Sequence, residues 1–158
     1  MGSLMRSMKN SLALLVLIIA AGGGPLWAAQ EEPVGRVVIA AGTVQAVTAQ
    51  GESRPLRRRS PLFEGETVLT APRARAQLRF VDGAVVSLKA DSELRIDAYQ
   101  YDPDDAGADR GLLTLVKGGF RTVTGAIGQR NPEDYEVSHS AATIGIRGTD
   151  FELVAAEG

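Results

Sequence analysis

The strongest constraint on this chain is a period of two in its hydrophobic residues. Leu78 and Phe80 alternate with Gln77 and Arg79, Val86 and Leu88 with Ser87 and Lys89, and Leu94, Ile96 and Ala98 with Arg95, Asp97 and Tyr99. Ile144 and Ile146 alternate with Thr143, Gly145 and Arg147, and Phe151 and Leu153 with Asp150 and Glu152. Successive side chains of a strand point to opposite faces, so this pattern describes half-buried strands of an antiparallel sheet. Turn residues separate the runs at Ala41-Gly42, Gln50-Gly51-Glu52, Glu64-Gly65-Glu66, Gly118-Gly119 and Gly148. Strands are expected near 34–40, 43–48, 67–70, 75–81, 84–89, 94–99, 112–117, 120–124, 135–138, 142–147 and 150–154, with no helix and no strict repeat between them. Many short strands joined by glycine-rich turns predict an all-β class, as a single compact antiparallel β-sandwich, roll or barrel. Asp82-Gly83, between two alternating runs, predicts a two-residue type I′ hairpin turn with positive φ at both residues.

The first residues follow a different logic. Arg6 and Lys9 precede a ten-residue apolar run, Leu12 to Ala21, which ends at Gly22, Gly23, Gly24 and Pro25; Ala28 and Ala29 follow. That order is the order of a secretory signal peptide, with residues 1–28 as the leader and 29–158 as the mature domain. The alternative is an uncleaved inner-membrane anchor facing the periplasm, and only then would the chain contact a membrane. Removing residues 1–28 leaves 15 cations against 19 anions, a net of −4. A chain without basic excess lacks the electrostatic footprint of a nucleic-acid binder. With no cysteine in the sequence, disulfides, thiolate metal sites and a lipoprotein anchor are all excluded.

Catalytic and metal chemistry find little support. His139 is the single histidine, flanked by Ser138 and Ser140, and nothing in the spacing assembles a nucleophile, a base and an orienting carboxylate around it. It reads as a surface residue at a strand end. The acidic stretch Asp102 to Asp109 departs from a calcium loop, with Ala106 at the fifth position and Leu113 at the twelfth, and reads as a solvated turn. Arg54 to Pro61 reads as an exposed basic connection, with Arg57, Arg58 and Arg59 solvated. No catalytic residue, cofactor or metal is therefore expected. A carbohydrate-binding module would need an exposed aromatic row, for which Tyr99, Tyr101 and Tyr135 are the candidates.

The most specific string is Ala142-Thr143-Ile144-Gly145-Ile146-Arg147-Gly148-Thr149-Asp150-Phe151-Glu152. It resembles the closing signature of the FecR-type domain family. Val34 to Val37 and Gly42 to Val44 resemble the opening strands of that family. Leu62 to Thr70 resembles its glycine-acidic turn and strand, Leu78 to Ala84 its F-x-D-G hairpin, and Leu115 to Arg121 its G-G-x-R strand pair. His139-Ser140 stands where relatives often carry a Thr-Pro-like pair. The resemblance implies a periplasmic β-rich domain, whose namesake members are transmembrane regulators of iron-dicitrate type acting on a sigma factor from a cytoplasmic segment. Only about nine residues, as far as Lys9, stand before the uncharged stretch that holds the apolar run, so that anti-sigma role is not expected; the tail ends soon after the signature, as in a C-terminally short member. The expected function is that of an exported, non-enzymatic module that binds another, unidentified envelope protein or relays a signal. The alternative is a structural or carbohydrate-binding module of the envelope. Within the signature, Gly145, Ile146, Arg147, Gly148, Thr149 and Asp150 are expected to be architectural first. Gly148 supplies a bend and Arg147 ties it to carbonyls or a carboxylate; the rival reading makes Arg147 and Asp150 an exposed binding spot.

Overall fold

The alternating segments form strands whose apolar residues turn to one side. The computed structural model describes residues 31–139, 142–145 and 150–155, the stretch 142–145 through its backbone pairing. Its strands are β1 (Gly35–Ala41), β2 (Val44–Val47), β3 (Ser53–Pro55), β4 (Pro61–Leu62), β5 (Thr67–Thr70), β6 (Arg75–Phe80), β7 (Val85–Leu88), β8 (Ser92–Gln100), β9 (Arg110–Lys117), β10 (Gly119–Val123), β11 (Tyr135–His139), β12 (Ala142–Gly145) and β13 (Asp150–Val154). In β6, Ala76, Leu78 and Phe80 are buried while Arg75 and Arg79 face out, as the period of two requires.

Two sheets result, one of six strands in the order β13-β10-β7-β6-β1-β4 and one of seven in the order β12-β11-β9-β8-β5-β2-β3. They pack as a sandwich whose end strands stay unpaired among the described residues, so of the three all-β shapes expected the barrel does not form. Leu78, Val86 and Phe120 from one sheet and Val68, Leu94, Ile96 and Leu115 from the other fill the space between them, all fully buried. Each such side chain contributes about 1.5–3 kcal/mol on burial.

Three expectations change. The basic stretch after Glu52 is not a loop throughout, because β3 and β4 lie within it. These strands of three and two residues are too short to show a period, and Pro55 and Pro61 sit on sheet edges, where a missing N–H is tolerated. Arg54 in β3 is anchored by a two-pronged pair to the buried Glu66, with Nε–Oε1 at 2.9 Å and the second nitrogen 2.8 Å from Oε2. Second, a five-residue helix, α1 (Ala126–Arg130), follows β10; it buries Ile127 and is too short to carry an amphipathic pattern. Third, β9 and β11 run parallel, from Gly111 opposite Tyr135 to Leu115 opposite His139. The chain leaves β9 for the other sheet through β10, then returns over α1, and such a crossover delivers a strand in the same direction.

The hairpin at Asp82 also differs in type from the one expected. Gly83 N–H donates to the Phe80 carbonyl at 3.0 Å and Phe80 N–H to the Ala84 carbonyl at 2.9 Å, so the loop holds Val81, Asp82 and Gly83. Only Gly83 has positive φ, at 90°, and Asp82 does not. This is the three-residue hairpin whose last residue is left-handed, not a I′ turn. A Cβ at Gly83 would meet nothing within 4 Å, so the cost of a side chain there is backbone strain alone. Gly83→Val is expected to lose about 1–3 kcal/mol in chemical denaturation.

Candidate functional site

Asp82 lies at the junction of the two sheets and α1. It is buried, and all its partners are neutral donors. Oδ1 accepts from Ala84 N–H at 3.0 Å and from the Tyr99 hydroxyl at 2.8 Å. Oδ2 accepts from Ile127 N–H at 3.3 Å, and the Asp82 carbonyl accepts from Ala126 N–H at 3.0 Å. The carboxylate thus links the β6–β7 turn to β8 of the opposite sheet and to the first turn of α1. Above it, Phe80 stacks on Tyr99 with centroids 4.2 Å apart, and Tyr135 meets Tyr99 edge-on at 6.5 Å. The Tyr135 hydroxyl shares a hydrogen bond with Thr122 Oγ1 at 3.2 Å. The cluster is closed on itself; among the described residues no buried side-chain polar atom lacks a partner.

Burial is the main reason both phenols resist ionisation. It pushes Tyr135 up to about 12, and it raises Tyr99 well above the usual phenol range, with the Tyr135 and Asp82 charges adding to the effect. A folded-state pKa above the unfolded value gives stability that is complete below the unfolded pKa, near 10, and is lost as pH rises toward the folded value. Phenolate absorbance at 295 nm from these two rings is therefore expected to appear together with the loss of β-sheet circular dichroism, above about pH 10. Ionisation of both rings with the sheet signal intact would contradict the arrangement.

Other candidate residues fall elsewhere. Tyr99 and Tyr135 are buried and cannot form an exposed sugar-binding row; Tyr101 is half-buried with the Arg130 guanidinium 4.8 Å from its ring centre. The acidic stretch is not solvated throughout, because Asp109 is buried and paired with Arg130, Nε–Oδ2 at 2.7 Å and the second nitrogen 2.9 Å from Oδ1. Among the described residues no group of three or more His, Asp or Glu side chains is placed to hold a metal. His139 ends β11 half-buried, and its Nδ1–H donates to the Leu115 carbonyl at 2.8 Å.

Of the closing signature, Gly145 pairs with Glu136 in β12, while Ile146, Arg147, Gly148 and Thr149 lie outside the described residues. Asp150 opens β13, exposed, with Arg121 Nε 2.8 Å from its Oδ1. That hydrogen-bonded pair holds the Asp150 carboxyl below the usual carboxylate range. Phe151 meets Phe120 edge-on at 6.1 Å, and with Leu153 it packs on the core. β12 belongs to the seven-stranded sheet and β13 to the six-stranded one, so the signature spans the passage between the layers.

A second grouping was not legible in the sequence. Arg36 stands directly opposite Arg79 in the β1–β6 register, and Arg59 lines the same hollow. The three are far apart in the chain, and only strand register brings them together.

Residues 66–158 match the family model described as FecR protein. Among curated proteins, none matches the chain. A solved structure described as a cell surface anchoring domain is similar over 39% of this chain and 82% of its own length, at 34% identity and a TM-score of 0.38. The family match begins at the buried Glu66 and takes in β5 to β13, including the Asp82 hairpin, the β9–β10 turn and the closing signature. It leaves out β1 to β4, of which β1 and β2 nonetheless pair with β6 and β5 inside the same two sheets. The match covers more than half of the sequence and strands of both layers, and the chain belongs to the FecR protein family.

Proposed function

We propose that this chain is an exported, non-enzymatic interaction module of the bacterial cell envelope that binds another envelope protein, as part of a signalling or regulatory assembly. The family match over residues 66–158 carries this reading, since the FecR family is regulatory and its domain belongs to the periplasmic side of envelope proteins. Residues 1–28 act as the signal peptide that delivers it there, on the order of charged, apolar and small residues described above. Among the described residues no helix is long and apolar enough to cross a membrane. The polar cluster at Asp82 supports an architectural role, because its donors and acceptors are used on one another.

The test is affinity capture with the tagged chain from an envelope extract, followed by reconstitution with the captured protein after purification. A saturable complex of two purified components is the expected result. Failure of every captured candidate to rebind in purified form would overturn the proposal.

A further inference from the structure

Cations and carboxylates are unevenly matched in this molecule. Among the described residues the ion pairs use Arg54, Lys89, Arg95, Arg121 and Arg130. Arg36, Arg59 and Arg79 take part in none of them, yet the fold brings the three together around one hollow of about 560 Å³. Arg36 and Arg79 are directly opposite on the exposed face of β1 and β6. Arg59 arrives from the turn before β4, where its N–H donates to the carbonyl of Val37 at 2.8 Å. Val81, Pro33 and Pro61 give the hollow an apolar lining, and no carboxylate lines it.

Two features of this place work against the free protein. Like charges directly opposite each other across an antiparallel pair repel. Arg59 also adopts left-handed backbone, φ 74°, which a residue with a side chain rarely takes without support. An anion seated among the three guanidiniums would remove the repulsion, and the planar fork of arginine pairs with a carboxylate through two hydrogen bonds at once.

We propose that this hollow binds a carboxylate-rich acidic segment of the partner protein; the inference rests on the interaction reading above. A protein segment fits better than a membrane or a charged polymer. Without residues 1–28 the chain carries 15 cations against 19 anions, so the molecule as a whole repels an extended anionic surface or polymer, whereas a short acidic segment meets only the local concave patch of cations. The apolar lining suits the side chains that flank carboxylates in a peptide.

The probe is a fluorescein-labelled hexaglutamate peptide, followed by anisotropy with the purified full chain at low salt, with hexaglutamine as the neutral control. Saturable binding of hexaglutamate that weakens with salt is expected, and none of hexaglutamine. The double variant R36Q/R79Q should weaken that binding by at least about tenfold. Its melting temperature should stay equal or rise, because the cross-strand repulsion is gone. Arg59→Gly serves as the second variant; it removes a cation and relieves the strained backbone, so weaker binding cannot come from misfolding. Absence of saturable binding, or wild-type affinity in R36Q/R79Q, overturns the proposal. So does binding to phosphatidylglycerol vesicles that hexaglutamate fails to displace. If the reconstituted partner still binds R36Q/R79Q at wild-type affinity, the hollow is excluded while the interaction reading stands.

Discussion

Asp82→Ala is expected to lower the melting temperature by roughly 10–20 °C, the equivalent of about 3–4 kcal/mol in a domain of this size. Three donors point at the carboxylate, the N–H groups of Ala84 and Ile127 and the hydroxyl of Tyr99. Alanine leaves all three without an acceptor in a buried place, and each buried orphan costs about 1–3 kcal/mol before water relaxes part of it. Asp82→Asn keeps one carbonyl oxygen and should lose less. The effect is also spatially specific. Far-ultraviolet circular dichroism should fall for both sheets in one transition, because Asp82 holds the β6–β7 turn of one sheet to β8 of the other. A shift of less than about 3 °C would show that the carboxylate is not the link between the layers.

Gly118→Val should be more damaging still. Gly118 joins β9 to β10, the point where the chain crosses from the seven-stranded sheet to the six-stranded one. Its φ is 80°, and a Cβ there would lie 2.5 Å from the Asp91 carbonyl oxygen and 2.7 Å from Ser92 Cα, besides colliding with Ser92 Oγ. The obstacle is mostly backbone, which cannot rotate out of the way. Strain and overpacking together should exceed about 4 kcal/mol, enough to prevent folding of a marginally stable domain. Gly118→Ala meets the same atoms, while Gly83→Ala meets none. The pair separates collision from strain, and equal melting temperatures for the two alanine variants would contradict the account.

The strands were legible wherever they ran long enough to show their period. β6, β7 and β8 alternate, and the buried residues Leu78, Val86, Leu94 and Ile96 are those the pattern points inward. β3 and β4 were not legible, because two or three residues carry no period and prolines mask an edge strand as a loop. The parallel pairing of β9 with β11 depends on a crossover through the other sheet, which no local pattern encodes. At Asp82 the turn was visible and its type was not. Asp-Gly serves both hairpin forms, and the choice follows from the three-residue loop that the β6–β7 register leaves. Burial of Asp82 was equally hidden, since its partners Tyr99 and Ile127 come from β8 and α1. The same holds for Asp109, an acidic residue in an acidic stretch that only the arrival of Arg130 takes out of solvent. The cluster of Arg36, Arg59 and Arg79 needed strand register, and the sequence offered only the Arg57–Arg59 run as a hint of it.

The proposal that this FecR-family domain works outside the cytoplasm is tested most directly by the mature mass of the protein. Cells expressing the chain with a C-terminal tag are fractionated by osmotic shock, and the tagged species is weighed intact by mass spectrometry. The expected species is in the periplasmic fraction and lacks roughly the first 28 residues, with cleavage after Ala28. A full-length species confined to the cytosol would contradict the central claim, and one held in the inner membrane would replace the signal peptide by an anchor.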